Sequence, residues 1–210
     1  MDAATELYFE QGTPEWLAAR EGRITASCFH YVMGSPKAQR SYLALIRGLK
    51  AGAPSGMRSL EHGKRYEPAA IADFEFTTDH EVRHVGLLIH PEMPEVAASP
   101  DGLIDPDGGV EIKCPSNPEI HTATVFRGAM PTKHVPQVQG NMYVSGRAWW
   151  YFMSFDPRAP LARRRFLTKI WRDEPYIRKL DQRVRAFREH LLNGTEPQDQ
   201  DITTAAIPFL

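Results

Sequence analysis

The chain has 210 residues, of which 42% are hydrophobic and 24% charged, with a formal net charge of −1. Those figures suit one domain with a sizeable core and are ordinary for a soluble globular protein. They leave no global attraction to nucleic acid, so any such binding needs local basic surface or metal ions.

No apolar run approaches a membrane span, and the N-terminal residues lack a basic-then-apolar signal pattern, so no membrane contact is expected. Cys28 and Cys114 are the two cysteines, far apart and without a CxxC pair. That argues against a disulfide framework, a zinc ribbon or an iron–sulfur cluster and points to a reducing, cytoplasmic setting.

In chain order, the stretch 6–12 (ELYFEQG) resembles a protease-cleavage tag but lacks its Asn and runs on into a helix start, so it is read as native. Thr13-Pro14 predicts an N-cap followed by Pro at the first helical position, with a helix ending near Gly22. A second cap at Thr25-Ala26-Ser27 predicts a helix to about Val32, and 41–50 a third, followed by a loop at 51–57. From 58 to about 77, Leu60, Gly63, Glu67, Ala70, Ile71 and Phe74 share one helical face, apolar except for Glu67. Pro68 removes a backbone donor and bends that helix locally.

Strands are predicted at 81–89, 95–98, 102–104 and 109–113, then helices at 117–127 and 133–145. Residues 149–155 and 165–171 read as two more strands. Asp173-Glu174-Pro175 opens a last helix, with Tyr176, Leu180, Val184, Phe187 and Leu191 at helical spacing and Gly194 as its stop. Residues 195–210 read as a polar tail. This order predicts a single α/β or α+β domain over 1–210, with a central mixed β-sheet flanked by helices.

The segment 99–115, SPDGLIDPDGGVEIKCP, carries the chemistry. Residues two apart on a strand point the same way, so Glu111 and Lys113 share a face while Val110 and Ile112 enter a core. A hairpin reversing at DPDGG brings Asp101 beside Glu111. Converging carboxylates repel unless a cation sits between them, and Mg²⁺ takes a few carboxylate oxygens while keeping waters. A neighbouring Lys can orient water and stabilise phosphoryl charge, which is the chemistry of metal-dependent phosphodiester hydrolysis. The alternative is an ordinary PDG turn followed by an exposed ExK strand. Glu67 adds to the first reading, because a carboxylate inside an apolar stripe is costly unless paired or metal-bound; its alternative is neutralisation by Lys64 or Arg65, or escape to solvent.

Taken together, TPEWLAAREGRITAS, HGKRYEPAA, ASPDGLI, VEIKCP, PQVQGNMYVSG and WWYFMSFDPR resemble, in this order, the lambda-exonuclease-type viral recombinase nuclease family, also called YqaJ. The resemblance runs from about Thr13 to Lys179 and implies the restriction-endonuclease-like PD-(D/E)XK core. It implies a Mg²⁺-dependent 5′-to-3′ exonuclease on the ends of linear double-stranded DNA. It further implies two metal ions per site with Mn²⁺ as a possible substitute, a homotrimer ring, and a single-strand annealing protein as partner. Matched motif to motif, Asp101, Glu111, Glu67 and the Ile112 carbonyl are the metal-binding set, Lys113 is the catalytic lysine, and Gln137 orients water or phosphate. Gln137 could instead be a surface residue on a helix whose Val135, Val138 and Met142 are buried.

By the same resemblance, Arg20, Thr25 and Ser27 of REGRITAS form the pocket for a terminal 5′-phosphate, with Lys37 as a further candidate ligand. A helix start with free N–H groups suits an anion, although simple capping by Thr25 and Ser27 and a solvated Arg20 fit as well. Arg158, Arg163, Arg164, Arg165, Lys169 and Arg172 form a local basic patch, either facing DNA or lying on a solvated hairpin. Trp149, Trp150 and Tyr151 are read as core or subunit-contact residues. The rival functions are a structure-specific or restriction-type endonuclease on the same core, and a non-catalytic DNA clamp.

Overall fold

Side-chain caps set the helix starts. In this computed structural model, which describes residues 3–49 and 57–199, Thr13 accepts from the Trp16 N–H and opens α1 (Pro14–Arg20). Ser35 accepts from Ala38 N–H and opens α3 (Pro36–Ile46), five residues before the predicted start at 41, and Pro36 at its first position reinforces that start. Thr25 does not cap: it ends a two-residue strand, and its N–H donates to the Tyr42 hydroxyl. A 3₁₀ turn (Ala26–Cys28) and the short α2 (Phe29–Val32) follow. The remaining helices are α4 (Met57–Thr78), α5 (Pro118–Arg127), α6 (Val135–Ser145) and α7 (Glu174–Asn193). Asp173 caps α7 and Gly194, at φ 71°, closes it in the left-handed region that glycine favours. The predicted loop at 51–57, apart from Met57, lies outside the described residues, as do the Leu60 side chain and the tail beyond residue 199.

The expected single central sheet divides into two four-stranded mixed sheets flanked by helices. The first has the order β1-β3-β4-β2, from Thr5–Leu7, Leu87–Ile89, Val96–Ala98 and Ile24–Thr25. Strand β1, inside the ELYFEQG stretch, pairs antiparallel with β3, and Gln11 donates to the carbonyls of Val85 and Pro100. Only the last three residues of the 81–89 strand are extended in the sheet. Before them, Val82 N–H is taken by the Glu75 carboxylate of α4, and Arg83 makes an isolated bridge to Leu103.

The second sheet has the order β5-β6-β7-β8, from Gly102–Ile104, Gly108–Lys113, Trp149–Phe155 and Arg165–Trp171. Strands β6 and β7 run parallel; both outer pairs are antiparallel. Alternation on β6 sends Val110 and Ile112 into a core with Ala70, Ile71 and Phe74 of α4. Across the sheet, Trp150 and Phe152 of β7 join a larger core with Phe29, Leu43, Val138, Met142, Leu180 and Phe187. Each such large side chain contributes about 1.5–3 kcal/mol when fully buried. Among the described residues no helix is long and apolar enough to cross a membrane.

Candidate active site

Strand β6 delivers two site residues and α6 answers them. Glu111 is fully buried, at 0% exposure. Its Oε1 accepts from Lys113 Nζ at 2.5 Å and from Gln137 Nε2 at 2.6 Å, and its Oε2 from Asn141 Nδ2 at 2.9 Å. A buried carboxylate costs several kcal/mol unless donors surround it, and here three do. Gln137 and Asn141 are four apart on α6 and therefore adjacent on its surface. Asn141 was not singled out from the sequence. The available signal was a second amide side chain one turn after Gln137, inside a run that is buried from Val138 to Val144.

Asp101 sits where the hairpin register predicts, one residue before the Gly102–Val110 pair. Its Oδ2 accepts the Ile112 N–H at 2.6 Å. Glu67 projects from α4, half-buried, into a cleft of about 400 Å³ lined also by Asp101, Ile112, Lys113, Trp16, His134 and Ser154. Burial and then the Glu111 charge push Asp101 well above the usual carboxylate range; the same two causes raise Glu67. Burial works against the Lys113 charge, but Glu111 and Asp101 outweigh it and hold the ammonium above its ordinary pKa. Burial, with Asp101 and Glu67 adding, moves the neighbouring Cys114 thiol up to about 12.

One ammonium thus faces three acids. Among the described residues no three His, Cys, Asp or Glu side chains are gathered as a ready metal cage, for both oxygens of Glu111 are turned to amide and ammonium donors. The donor set nevertheless fits a hard divalent cation: it is all oxygen, and Asp101 and Glu67 resist ionising beside Glu111, which a cation between them relieves.

A second cavity, of about 360 Å³, is lined by Ser27, His30, Lys113, Lys133, His134 and Gln137. Lys113, Lys133 and His134 line both cavities, so the two meet at the lysine. Arg20, the last residue of α1, lies 4.3 Å over the Trp16 ring and reaches Ser27 Oγ at 3.4 Å; Thr25 Oγ1 is 3.3 Å from the same hydroxyl. Burial lowers the pKa of Arg20. Burial, aided by Lys113 and Lys133, drives His134 down to about 3, so its ring is neutral where it stacks on Phe152.

Residues 15–148 match the YqaJ-like viral recombinase domain. The chain belongs to that family. Two solved structures of LHK-Exo, an alkaline exonuclease from Laribacter hongkongensis, are similar to this YqaJ-like chain at 34% and 35% identity. They give TM-scores of 0.79 and 0.80, each covering 87% of this chain and 94% of the other, and one holds dAMP. A phage related exonuclease from Haemophilus somnus 129PT shares the fold at 15% identity, with a TM-score of 0.61 over 88% of this chain and 96% of that one. The uncharacterized protein R354 of Acanthamoeba polyphaga mimivirus is 30% identical over 150 residues. That match spans 65% of this chain and 27% of the mimivirus protein, about a quarter of its length.

Two expectations from the sequence resolve differently in the structure. Lys37 is exposed at the start of α3 and lines neither cavity. Most of the 158–172 basic patch is committed internally. Arg158 grips Asp156 and donates to the carbonyls of Pro115 and Ser116. Arg164 and Arg165 pair with the buried Asp73, and Arg172 donates to Met142 O and Glu174. The Lys169 ammonium sits 3.8 Å over the Trp149 ring. Trp150 is fully buried, while Trp149 and Tyr151 are half-buried against the α4 core.

Proposed function

We propose that this chain is a Mg²⁺-dependent 5′-to-3′ exonuclease that degrades one strand of linear double-stranded DNA from a 5′-phosphorylated end. It would leave 3′ single-stranded overhangs for recombination by single-strand annealing. The observation that carries the reading is the cleft where Glu67, Asp101 and Lys113 meet above the buried Glu111. The likeness to an alkaline exonuclease, once seen with the mononucleotide dAMP, supports it.

Asp101, Glu67, Glu111 and the Ile112 carbonyl would hold the metal, two ions per site, with Mn²⁺ as a substitute. Glu111 would exchange a present donor for it. When bound, the metal supplies Lewis acidity toward the phosphoryl group and lowers the pKa of water. Lys113 keeps its proton at Nζ, because Glu111 and Asp101 favour the charged form, and sets that charge against the phosphoryl oxygens. Gln137, anchored on Glu111, orients water or phosphate beside it. Arg20, Thr25 and Ser27 bind the terminal phosphate, which carries more charge than an internal diester. Because the Ser27 cavity meets the main cleft at Lys113, a phosphate held there sets the next phosphodiester at the lysine and fixes direction.

From the resemblance, the assembly we propose is a homotrimer ring in the cytoplasm, working with a single-strand annealing protein. The test is timed digestion of end-labelled linear duplex bearing 5′-phosphate or 5′-hydroxyl ends, with and without Mg²⁺, beside closed circular DNA. Mononucleotides should leave the 5′ end, faster from the phosphorylated substrate, and the circle should stay intact. No release in the presence of Mg²⁺ overturns the reading, and cleavage of the circle replaces it with an endonuclease.

A further inference from the structure

We propose that Ser154 and His121 form a proton relay for the attacking water, with Ser154 touching the water and His121 acting as the base behind it. The proposal rests on the nuclease reading above. His121 on α5 is 1% exposed, and no step assigned so far uses it. Its Nε2 lies 2.8 Å from the Arg163 carbonyl oxygen, and its Nδ1 lies 2.9 Å from Ser154 Oγ. A carbonyl only accepts, so Nε2 carries the hydrogen. In the neutral ring Nδ1 then offers a lone pair, and the Ser154 O–H donates to it.

Ser154 is the one small hydroxyl side chain in WWYFMSF, a strand otherwise of aromatic rings and Met153. It is the register partner of Lys113 on the neighbouring parallel strand, and it lines the same cleft as Lys113, Asp101 and Glu67. With its hydrogen committed to His121, its oxygen is an acceptor toward that cleft. This is the wrong polarity for a phosphate oxygen and the right one for the hydrogen of a water. Lys113 is the other donor nearby, and one of its three N–H groups goes to Glu111.

The step balances as follows. Water gives a proton to Ser154 Oγ while Ser154 passes its own to His121 Nδ1. The water oxygen forms its bond to phosphorus, and the P–O3′ bond breaks with its electron pair going to O3′, which takes a proton from solvent. The imidazolium keeps its Nε2–H bond to the Arg163 carbonyl and returns the extra proton to solvent through Ser154 once product has left. The charged groups around His121 are few. Asp156, two residues beyond Ser154, is paired with Arg158. The Arg163 guanidinium lies over Phe126, Arg164 and Arg165 are bound to Asp73, and Lys113 lies beyond Ser154 on β6.

The experiment uses the full chain with His121→Asn, Ser154→Ala and the double variant, measuring kcat and KM on 5′-phosphorylated linear duplex across pH, with thermal melting as a control. In His121→Asn, Oδ1 still accepts from Ser154 but takes no proton. Its kcat should fall by about 100-fold or more, with KM little changed and the acid-side dependence of kcat altered. Ser154→Ala should match it, and the double variant should be no slower than the worse single one, because a relay fails as a unit. An active parent, with His121→Asn within about twofold of it and an unmoved pH profile, overturns the relay alone, as do multiplying losses in the double variant. If His121→Asn does not fold, Ser154→Ala decides by the same readouts. A parent that releases no nucleotide overturns the nuclease reading and the relay together.

Discussion

Gly140→Ala tests the seam on which the site is built. Gly140 lies on α6 between Gln137 and Asn141, and a methyl group there would stand 2.5 Å from Phe29 Cδ2 and 3.3 Å from the Ala26 Cβ. Phe29 is 0% exposed and cannot swing aside, so α6 or the Ala26–Cys28 turn must move. Overpacking of this kind costs about 1–3 kcal/mol. The better helix propensity of Ala returns at most about 1 kcal/mol. The expected net loss is about 1–2 kcal/mol, a fall in Tm of roughly 2–8 °C for a chain of this size. The same displacement separates Gln137 from Ser27 across their shared cavity, so the preference for 5′-phosphorylated over 5′-hydroxyl ends should narrow. Calorimetry on the metal-free protein and paired digestion rates measure the two effects. A variant that melts at or above the parent temperature refutes the close approach of α6 to the turn.

Lys113→Ala should lower cleavage by about 100-fold or more while end binding, followed by fluorescence anisotropy, stays within a few-fold; parental turnover would remove Lys113 from the reaction. Arg20→Ala deletes a charge-assisted contact, so the ratio of rates on 5′-phosphate and 5′-hydroxyl ends should fall about 10- to 100-fold; an unchanged ratio refutes the pocket. Glu67 has a folded pKa raised first by burial and then by Glu111. Its favourable contribution is therefore present below the unfolded carboxylate pKa, about 4.3, and is lost as pH rises through the folded value. Metal-free Glu67→Gln should accordingly melt above the parent at neutral pH and converge with it on acidification, and equal melting curves across pH would refute the charge crowding.

The elements legible in the sequence were those whose pattern is local. The bulky runs Trp149–Phe155 and Arg165–Trp171 form strands with the predicted bounds, and the capped helices at Thr13 and Asp173 start where their caps stand. The division into two sheets was not legible. It depends on two strands of two and three residues, Ile24–Thr25 and Thr5–Leu7, too short to carry a period, whose partners are 72 and 84 residues away (Ile24 with Val96, Thr5 with Ile89). The site follows the same rule. Asp101, Glu111 and Lys113 lie within one hairpin, and Glu67 breaks an apolar stripe, so each left a local trace. Asn141 left only a second amide one turn after Gln137 and the His121–Ser154 pair left no trace, because their meaning comes from groups 30 and 33 residues away.

The two glutamates of the site should answer the same substitution with opposite signs. Glu67 lines the cleft, and its charge is opposed by Glu111, so an amide in its place relieves the metal-free fold. Glu111 is sealed inside, with every contact donated to it: Lys113 and Gln137 on one oxygen, Asn141 on the other. Glu111→Gln puts an NH₂ group against one of those donors and takes from the Lys113 ammonium the carboxylate it is bonded to, leaving Asp101 as its remaining close counter-charge. Breaking a buried pair from one side costs about 3–5 kcal/mol, or roughly 6–20 °C in Tm. Melting of the two variants without metal, at one neutral pH, makes the comparison. Opposite shifts would separate a carboxylate that holds the lysine in place from one whose charge is unmet until a cation arrives; shifts of the same sign would mean that the two acids share one environment and that this division of roles is wrong.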